Sequence, residues 1–220
     1  MGPDALSDRR WERARRELIE TIRERGIDDL EILRVFDLVP RHLFLPPAVH
    51  HRAYEDAPVP IGFGQTASQP SLQALYLRTL RIGPRDRVLE VGTGSGYQTA
   101  LLAHLASHVY SIERVRELSV RARATLDQLR FPNIALLVGD GTVGWSRYAP
   151  YDAILVAAAA PQVPSALLAQ LAPGGRMLIP VGGRDEQRLL LYRRTEDGFE
   201  HEEVTRCAFV PLLGRFGWAE

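Results

Sequence analysis

Apolar positions from residue 87 onward form short, nearly continuous runs separated by polar turns. Such runs are typical of strands that are buried on both faces of a sheet. They predict strands at residues 87–91, 108–112, 134–138, 151–156, 176–181 and 188–193. Apolar residues at helical spacing predict helices at residues 98–106, 114–129 and 164–172. The alternation of strands and helices indicates an α/β fold with a doubly wound, mostly parallel sheet. A last short strand is predicted at residues 209–212.

Before this region the apolar positions are spaced for helices. Residues 8–25 carry an apolar stripe opposite Arg and Glu residues, which predicts an amphipathic helix with Ser7 as its N-cap. Residues 28–31 resemble a capping box and predict a second helix that ends before Pro40. Arg41 and His42, which follow, are expected to form its solvated end.

Prolines and glycines then interrupt the pattern between residues 45 and 70. A loop of this length in a compact domain is usually a lid or a binding loop. Pro70 suits the first position of a helix, so Ser68 and Gln69 lie at a helix N-terminus. One of them could simply cap the helix, or the hydroxyl of Ser68 could receive a carboxylate beside free N–H groups. No histidine lies within the motif to act as a base, which disfavours a serine-hydrolase elbow.

The strand predicted at residues 87–91 leads into a glycine-rich turn, Gly92-Thr93-Gly94-Ser95-Gly96, and then a helix. Glycines let a ligand approach the backbone closely, and the helix directs its free N–H groups at that ligand. A dinucleotide fingerprint would need glycine at position 97, which is Tyr97 here. The spacing therefore favours a cofactor without a pyrophosphate, such as a nucleoside joined to an amino acid. A purely structural turn is the alternative.

Three acidic residues lie near the ends of successive predicted strands: Glu90, Glu113 and Asp140. Carboxyl ends of parallel strands share one sheet edge, where ligands bind. Glu113, about 20 residues after the turn, is placed to accept both hydroxyls of a ribose. Its alternative is a solvated strand end, and Asp140 with Gly141 could form a simple turn. Their shared edge favours contacts with the ribose or adenine of an adenosyl cofactor.

Composition narrows the possible functions. The 27 basic residues, all Arg, balance 27 acidic residues, so there is no electrostatic case for a nucleic-acid partner. The absence of Lys excludes Schiff-base chemistry. Cys207 is the single cysteine, which excludes an intrachain disulfide and a thiolate metal cluster. The N-terminus is charged, and the longest apolar stretch, residues 153–160, is too short to span a bilayer. We expect a cytoplasmic protein without a metal or a membrane partner.

The motifs together resemble the protein-L-isoaspartate O-methyltransferase family from about Gly26 to Leu212. The glycine turn is shared by many methyltransferases, whereas Ser68-Gln69-Pro70 and Phe209-Val210-Pro211-Leu212 are more specific to this family. The segments that carry the resemblance are residues 39–44, 53–58, 60–62, 68–70, 89–97, 110–114, 139–141, 144–145, 149–154, 174–175, 179–182 and 209–212.

This resemblance implies a Rossmann-like methyltransferase fold in a single domain of residues 1–220. Residues 1–75 would be a helical extension with the acceptor-binding loop, and residues 76–220 the cofactor-binding core. It implies S-adenosylmethionine as donor and the free carboxylate of L-isoaspartyl residues in proteins and peptides as acceptor. The implied cofactor-binding residues are Glu90, Gly92, Thr93, Gly94, Gly96, Glu113, Arg114, Asp140 and Gly141. Ser68 would be the catalytic residue, with Thr66 and Ala67 beside it in the substrate site.

Two positions depart from the family pattern: Ala67 replaces a larger aliphatic residue, and Ala157 replaces a frequent Thr. Both departures are expected to loosen or reshape the acceptor pocket. A carboxylate is already ionised at neutral pH, so its methylation needs no general base, and Ser68 is expected to orient it. The alternative acceptor is a carboxylate of a small molecule or modified peptide. A non-catalytic adaptor is a third class, which an acceptor-site serine disfavours. We expect a monomer.

Overall fold

The computed structural model describes residues 9–219, so the predicted N-cap Ser7 lies outside the described residues. The helices are α1 (Arg9–Glu24), α2 (Leu30–Leu38), α3 (Pro70–Leu80), α4 (Tyr97–Leu105), α5 (Arg116–Gln128) and α6 (Ser165–Leu168). The strands are β1 (Val59–Gly62), β2 (Gln65–Ala67), β3 (Arg87–Val91), β4 (His108–Glu113), β5 (Ile134–Val138), β6 (Tyr151–Val156), β7 (Leu171–Gly182), β8 (Gln187–Arg194) and β9 (Phe199–Cys207).

Seven strands form the central sheet in the order β5-β4-β3-β6-β7-β8-β9. Strands β3 to β7 are parallel, β8 pairs antiparallel with β7, and β9 pairs antiparallel with β8. The predicted mostly parallel, Rossmann-like sheet is therefore confirmed. Because β3, β4 and β5 are parallel, their carboxyl ends lie at the same edge of the sheet. Gly92, Glu113 and Gly139 are therefore neighbours at this edge.

Alternate residues of the central strands bury opposite faces of the sheet. Val88 and Leu155 belong to the core beneath α1 to α4, whereas Leu89 and Ile154 belong to the core on the other face. Both faces are covered, which is why these strands are apolar at nearly every position. None of the helices within residues 9–219 has the length and apolar character needed to cross a membrane.

Two predicted elements in the C-terminal half are wrong. The helix expected at residues 164–172 is a single turn, because Leu171 already pairs with Tyr151 in the sheet. The strand expected at residues 209–212 is a loop that makes one isolated bridge, between Ala159 and Pro211. Strand β9 was not predicted, because it is an exposed edge strand with Glu at several positions and no apolar run.

The segment predicted as a loop between residues 45 and 70 contains ordered structure. A short 3-10 helix at Arg41–Phe44 precedes the segment, a second one occupies Pro47–Arg52 within it, and β1 pairs with β2 in an antiparallel hairpin. The expectation of a solvated end at Arg41 and His42 is wrong, since both side chains are buried. His42 stacks on Trp11, which ties this segment to α1.

Candidate functional site

The glycine turn after β3 has backbone angles that glycine adopts readily. Gly92, Gly94 and Gly96 all have positive φ, at 98°, 53° and 86°. Space is also restricted at Gly96, where a Cβ would lie 3.0 Å from Cβ of Ala122, whereas a Cβ at Gly92 would make an ordinary contact at 3.4 Å with Cβ of Ala157. Side chains would therefore strain the backbone at all three positions and would also crowd α5 at Gly96.

A cleft opens at this edge of the sheet. It brings together most of the sequence-predicted site residues, from both the N-terminal segment and the sheet. Those that line it are Thr66, Ala67, Ser68, Gly92, Thr93, Gly94, Glu113, Arg114 and Gly141. Three others, Glu90, Gly96 and Asp140, are not among the described residues that line the cleft.

Glu113 ends β4 and is held by backbone groups. Its Oε2 accepts a hydrogen bond from the N–H of Gly94 at 2.8 Å, and its Oε1 accepts one from the N–H of Val115 at 2.9 Å. One carboxylate thus joins the glycine turn to the start of α5. Each carboxylate oxygen can accept a further hydrogen bond, so Glu113 can also bind hydroxyl donors in the cleft.

Glu90 lies inside β3 and is completely buried. Its Oε2 accepts hydrogen bonds from the hydroxyls of Thr99 at 2.5 Å and Ser111 at 2.6 Å. Burial raises the pKa of Glu90 to about 7, although the two hydroxyl donors oppose the rise. Glu90 therefore connects α4 to β4 from behind the glycine turn.

Asp140 follows β5 and is bound by the C-terminal segment. Its Oδ1 accepts hydrogen bonds from the N–H of Thr142 at 2.8 Å and the Thr142 hydroxyl at 2.7 Å, and its Oδ2 accepts the N–H of Arg215 at 2.8 Å. Burial acts to raise the pKa of Asp140, but these donors outweigh it and lower the pKa. A Cβ at Gly214 would collide with this carboxylate. Asp140 thus anchors the segment whose Leu212 and Leu213 line the cleft.

Asp56, rather than Ser68 or Gln69, caps the start of α3. Its Oδ1 accepts the N–H of Ser71 at 2.8 Å, and its Oδ2 accepts the side-chain amide of Gln69 at 2.9 Å. Gln69, at the N-cap position, makes no side-chain cap of its own. The hydroxyl of Ser68 is therefore not used to cap this helix and lies in the wall of the cleft.

A buried arginine fixes the backbone at this position. Arg41 is fully buried and donates to the carbonyl of Ser68 at 3.0 Å and to Oε1 of Gln73 at 2.8 Å. Its guanidinium also lies 4.9 Å from the ring centre of Tyr97. Burial lowers the pKa of Arg41, but the group stays cationic because arginine begins so high. Arg41 thus couples the acceptor loop to α3 and α4.

A second groove adjoins the cleft. Thr66, Ser68, Ala157 and Val210 line both the cleft and the groove, so they form a shared wall between them. The groove is also lined by three arginines, Arg25, Arg78 and Arg206, and by Cys207. The cleft and the groove are therefore neighbours, and Ser68 belongs to the wall between them.

Comparison with known proteins identifies the family. Residues 13–217 match the profile of the protein-L-isoaspartate(D-aspartate) O-methyltransferases. A protein-L-isoaspartate O-methyltransferase of Trichlorobacter lovleyi is 51% identical over 207 residues, which cover 93% of this chain and 95% of that protein. One of Pseudomonas aeruginosa is 49% identical over 203 residues, or 92% of this chain and 96% of that protein. The chain belongs to the protein-L-isoaspartate(D-aspartate) O-methyltransferase family.

Solved structures of this family have the same fold. One protein-L-isoaspartate O-methyltransferase superimposes with a TM-score of 0.84 at 28% identity, covering 92% of this chain and 67% of that one. A putative family member from Plasmodium falciparum, solved with S-adenosyl-L-homocysteine, has a TM-score of 0.79 at 27% identity, with 90% and 97% covered. The predicted family and its cofactor, S-adenosylmethionine, are thereby confirmed. The site of this chain thus has to support S-adenosylmethionine-dependent methyl transfer.

Sequence reasoning missed several residues that line the cleft. Gln73 and Tyr76 on α3 and Gln98 on α4 line the cleft, but the sequence presents them only as members of helices. Burial raises the pKa of Tyr76 well above its usual value. The Ser68 hydroxyl lies near enough to oppose that rise, although the two oxygens are not in hydrogen-bond geometry. The one available signal was Gln98, a polar residue two positions after Gly96 at the start of a mostly apolar helix.

Proposed function

We propose that this protein methylates the free carboxylate of L-isoaspartyl residues in damaged proteins and peptides, with S-adenosylmethionine as donor. The resulting ester would collapse to a succinimide and so start the repair of the residue. The observation that carries this proposal is the wall shared by the cleft and the groove, which includes Ser68. A cofactor in the cleft and a peptide in the groove would meet at this wall.

The residues around the cleft fit S-adenosylmethionine. Glu113 has accepting capacity left for ribose hydroxyls, and the turn at Gly92, Gly94 and Gly96 leaves no side chain between the backbone and a ligand. A Cβ at Gly141 would collide with Val91, so this corner also requires glycine. We propose that these residues, with Thr93 and Arg114, hold the cofactor, while Glu90 and Asp140 support their positions.

When bound, the cofactor supplies a methyl group on a positively charged sulfur. The acceptor carboxylate, with an ordinary pKa of about 3.5–4, is already ionised at neutral pH, so the protein need not remove a proton. Its task is to align the acceptor oxygen with the methyl carbon at roughly 3–3.5 Å. The hydroxyl of Ser68 would donate a hydrogen bond to the carboxylate, with Thr66 and Ala67 shaping the wall beside it.

Arg41 supports this alignment without touching the acceptor. Its bond to the Ser68 carbonyl holds the backbone that carries the hydroxyl. Apolar residues from the C-terminal segment, including Val210 and Leu212, line the same cleft and reduce its water content. A dry site favours a reaction in which an anion and a cation neutralise each other.

The remaining expectations are proposals of the same kind. The interlocking of the N-terminal segment with the cleft supports a single domain over residues 1–220, with the acceptor loop in residues 1–75 and the cofactor core in residues 76–220. A zero formal net charge favours proteins and peptides over nucleic acid as partners. We propose a monomer that acts in the cytoplasm, away from membranes.

A paired-peptide assay tests the function. The enzyme is incubated with methyl-labelled S-adenosylmethionine and two peptides that differ only in an aspartyl or isoaspartyl linkage. Base-labile label in the isoaspartyl peptide alone is the expected result. Labelling of neither peptide, with cofactor binding intact, would contradict the proposal. It would favour another carboxylate acceptor or a non-catalytic role.

Replacing the proposed acceptor contact tests the role of Ser68. Ser68→Ala should lower kcat/KM for the isoaspartyl peptide by about 10- to 100-fold, because a hydrogen bond to a charged group contributes roughly 1.5–3 kcal/mol. The affinity for S-adenosylhomocysteine, measured by calorimetry, should stay within about twofold, since nothing in this role concerns the cofactor. Ser107→Ala is the matched control, because Ser107 precedes β4 at the opposite end from Glu113. Full activity of Ser68→Ala would remove Ser68 from the mechanism.

A further inference from the structure

The side-chain amide of Gln98 is buried without any hydrogen-bond partner. Gln98 is 6% exposed, and neither its Nε2 nor its Oε1 makes a hydrogen bond in the described structure. Buried amides in folded proteins are nearly always paired, because an unpaired one loses its bonds to water without replacement. An amide of this kind in the wall of a cleft points to a ligand that completes it.

The neighbours of Gln98 have their own partners. Tyr97 packs against the rings of Phe36 and Phe44, and Thr99 donates to Glu90 at 2.5 Å. Gln98 lies between them, at the second position of α4, and faces the cleft. The N-cap residue of α4, Gly96, has no side chain, and the Oγ of Ser95 accepts only the first N–H of the helix, that of Tyr97, at 3.3 Å. The next N–H groups of the first turn have no partner within the helix and can bind a ligand.

The position of Gln98 distinguishes the possible ligands. Gln98 lines the cleft but is not among the described residues that line the acceptor groove. A group that pairs with it therefore belongs to the cofactor. Gln98 of α4 lines the cleft together with Gln73 and Tyr76 of α3. Glu113 lines it from a different element, the end of β4. The hydroxyls of a ribose suit the acceptor-only Glu113, which leaves the other end of the cofactor for Gln98.

The chemistry of a primary amide agrees with this assignment. Its NH₂ group donates and its carbonyl accepts, so it pairs fully with a ligand that offers both an acceptor and a donor. The amino-acid end of S-adenosylmethionine has both, as an α-carboxylate and an α-ammonium group. A carboxylate is also favoured beside the N-terminus of a helix. We propose that Gln98 binds the amino-acid end of the cofactor, an inference that rests on the proposed function above.

The test compares two ligands that differ at this end. S-adenosylhomocysteine carries the amino acid, and 5′-methylthioadenosine replaces it with a methyl group. Calorimetry on the wild type should show tighter binding of S-adenosylhomocysteine. Gln98→Leu should weaken that binding by about tenfold, the size of one to two hydrogen bonds, while methylthioadenosine affinity stays within about twofold. Gln128→Leu, at the exposed end of α5, is the matched control.

A second measurement separates binding from folding. Thermal unfolding of ligand-free Gln98→Leu should occur at or above the wild-type temperature, because leucine removes two unpaired polar atoms from the interior. A structural role for the amide would instead lower that temperature.

Three outcomes would overturn the inference. They are unchanged affinity of Gln98→Leu for S-adenosylhomocysteine, equal weakening of both ligands, and a lowered unfolding temperature without a change in ligand preference. Failure of the wild type to bind either ligand would instead contradict the proposed function, and this inference with it.

Discussion

Glu90 and Glu113 lie on neighbouring parallel strands, yet the interior of β3 and the end of β4 use the same functional group differently. Strand pairing sets Glu90 opposite Ser111, so Glu113 lies two residues further toward the cleft. Glu90 accepts two hydroxyls on one oxygen, and its Oε1 has no hydrogen-bond partner in the described structure. Glu113 accepts one backbone N–H on each oxygen and lines the cleft.

The comparison shows how position along a strand decides what a carboxylate does. Inside the strand, Glu90 is surrounded by protein and can only hold α4 and β4 together. At the strand end, Glu113 accepts hydrogen bonds from backbone N–H groups, whose positions do not depend on side-chain rotamers. Its carboxylate still lines the cleft. A carboxylate in the first setting supports the framework, whereas one in the second is ready to bind a ligand.

The largest expected effect concerns Glu90 and pH. Burial raises the pKa of Glu90 from its usual 4.5 to about 7. Between these values the folded protein keeps a proton on Glu90 that the unfolded chain has released, so the free energy of unfolding falls as the pH rises. The stabilisation that protonated Glu90 gives the folded protein is fully present below about pH 4.5. It is lost as the pH rises through 7, which lowers the free energy of unfolding by at most about 3 kcal/mol.

Glu90→Gln tests this by removing the titration while preserving size. Urea unfolding of both proteins at several pH values gives the difference in free energy of unfolding, in which the other titrating groups cancel. The wild type should lose stability relative to the variant as the pH rises from 5 to 8. A constant difference would mean that Glu90 is ionised throughout and that the contrast with Glu113 is wrong.

The next effect concerns the ligand. Glu113→Gln keeps the shape of the side chain but turns one acceptor oxygen into a donor, which must face the N–H of Gly94 or Val115. Losing a charge-assisted hydrogen bond costs about 2 kcal/mol, so the affinity for S-adenosylhomocysteine should fall about 30-fold. Calorimetry measures this, and Glu117→Gln, exposed on α5, is the control. Unchanged affinity would mean that the ribose is held elsewhere.

The parts of the fold that sequence predicted are those set by local pattern. Strands β3 to β6 are apolar on both faces and bounded by turns, so their limits were predicted closely. The hairpin of β1 and β2 was missed because it carries Pro60 and Gly62 and depends on packing under Ala53 and Leu118. The length of α6 was overestimated because the pairing of Leu171 with Tyr151, which ends the helix early, is a long-range contact that local sequence does not show.

The same limit applies to the site. The glycine turn and the strand ends are local features, and the cleft contains most of the residues that they predicted. Arg41, 27 residues before Ser68, could not be connected to it from sequence, and neither could the capping of α3 by Asp56. Such contacts depend on how distant segments fold together, and residue type alone does not reveal them.

Asp140 gives the smallest expected effect and extends the comparison to a third strand. Sequence assigned it to the cofactor, but its oxygens bind Thr142 and Arg215, so it resembles Glu90 in supporting a neighbour. In Asp140→Asn, an NH₂ group replaces one acceptor oxygen. This donor then faces either the donors of Thr142 or the N–H of Arg215, so a hydrogen bond is lost. We expect a loss of about 1 kcal/mol in the free energy of unfolding. Because the pKa of Asp140 is lowered, this advantage of the wild type should disappear on acidification.

The cofactor affinity of this variant decides between the two roles. If Asp140 mainly anchors the C-terminal segment, binding of S-adenosylhomocysteine should weaken only about two- to fivefold, through the loosened contacts of Leu212 and Leu213. Protease cleavage after Arg215 should increase at the same time, because its N–H has lost its acceptor. A fall in affinity as large as that of Glu113→Gln, without increased cleavage, would place Asp140 with Glu113 as a direct ligand-binding carboxylate.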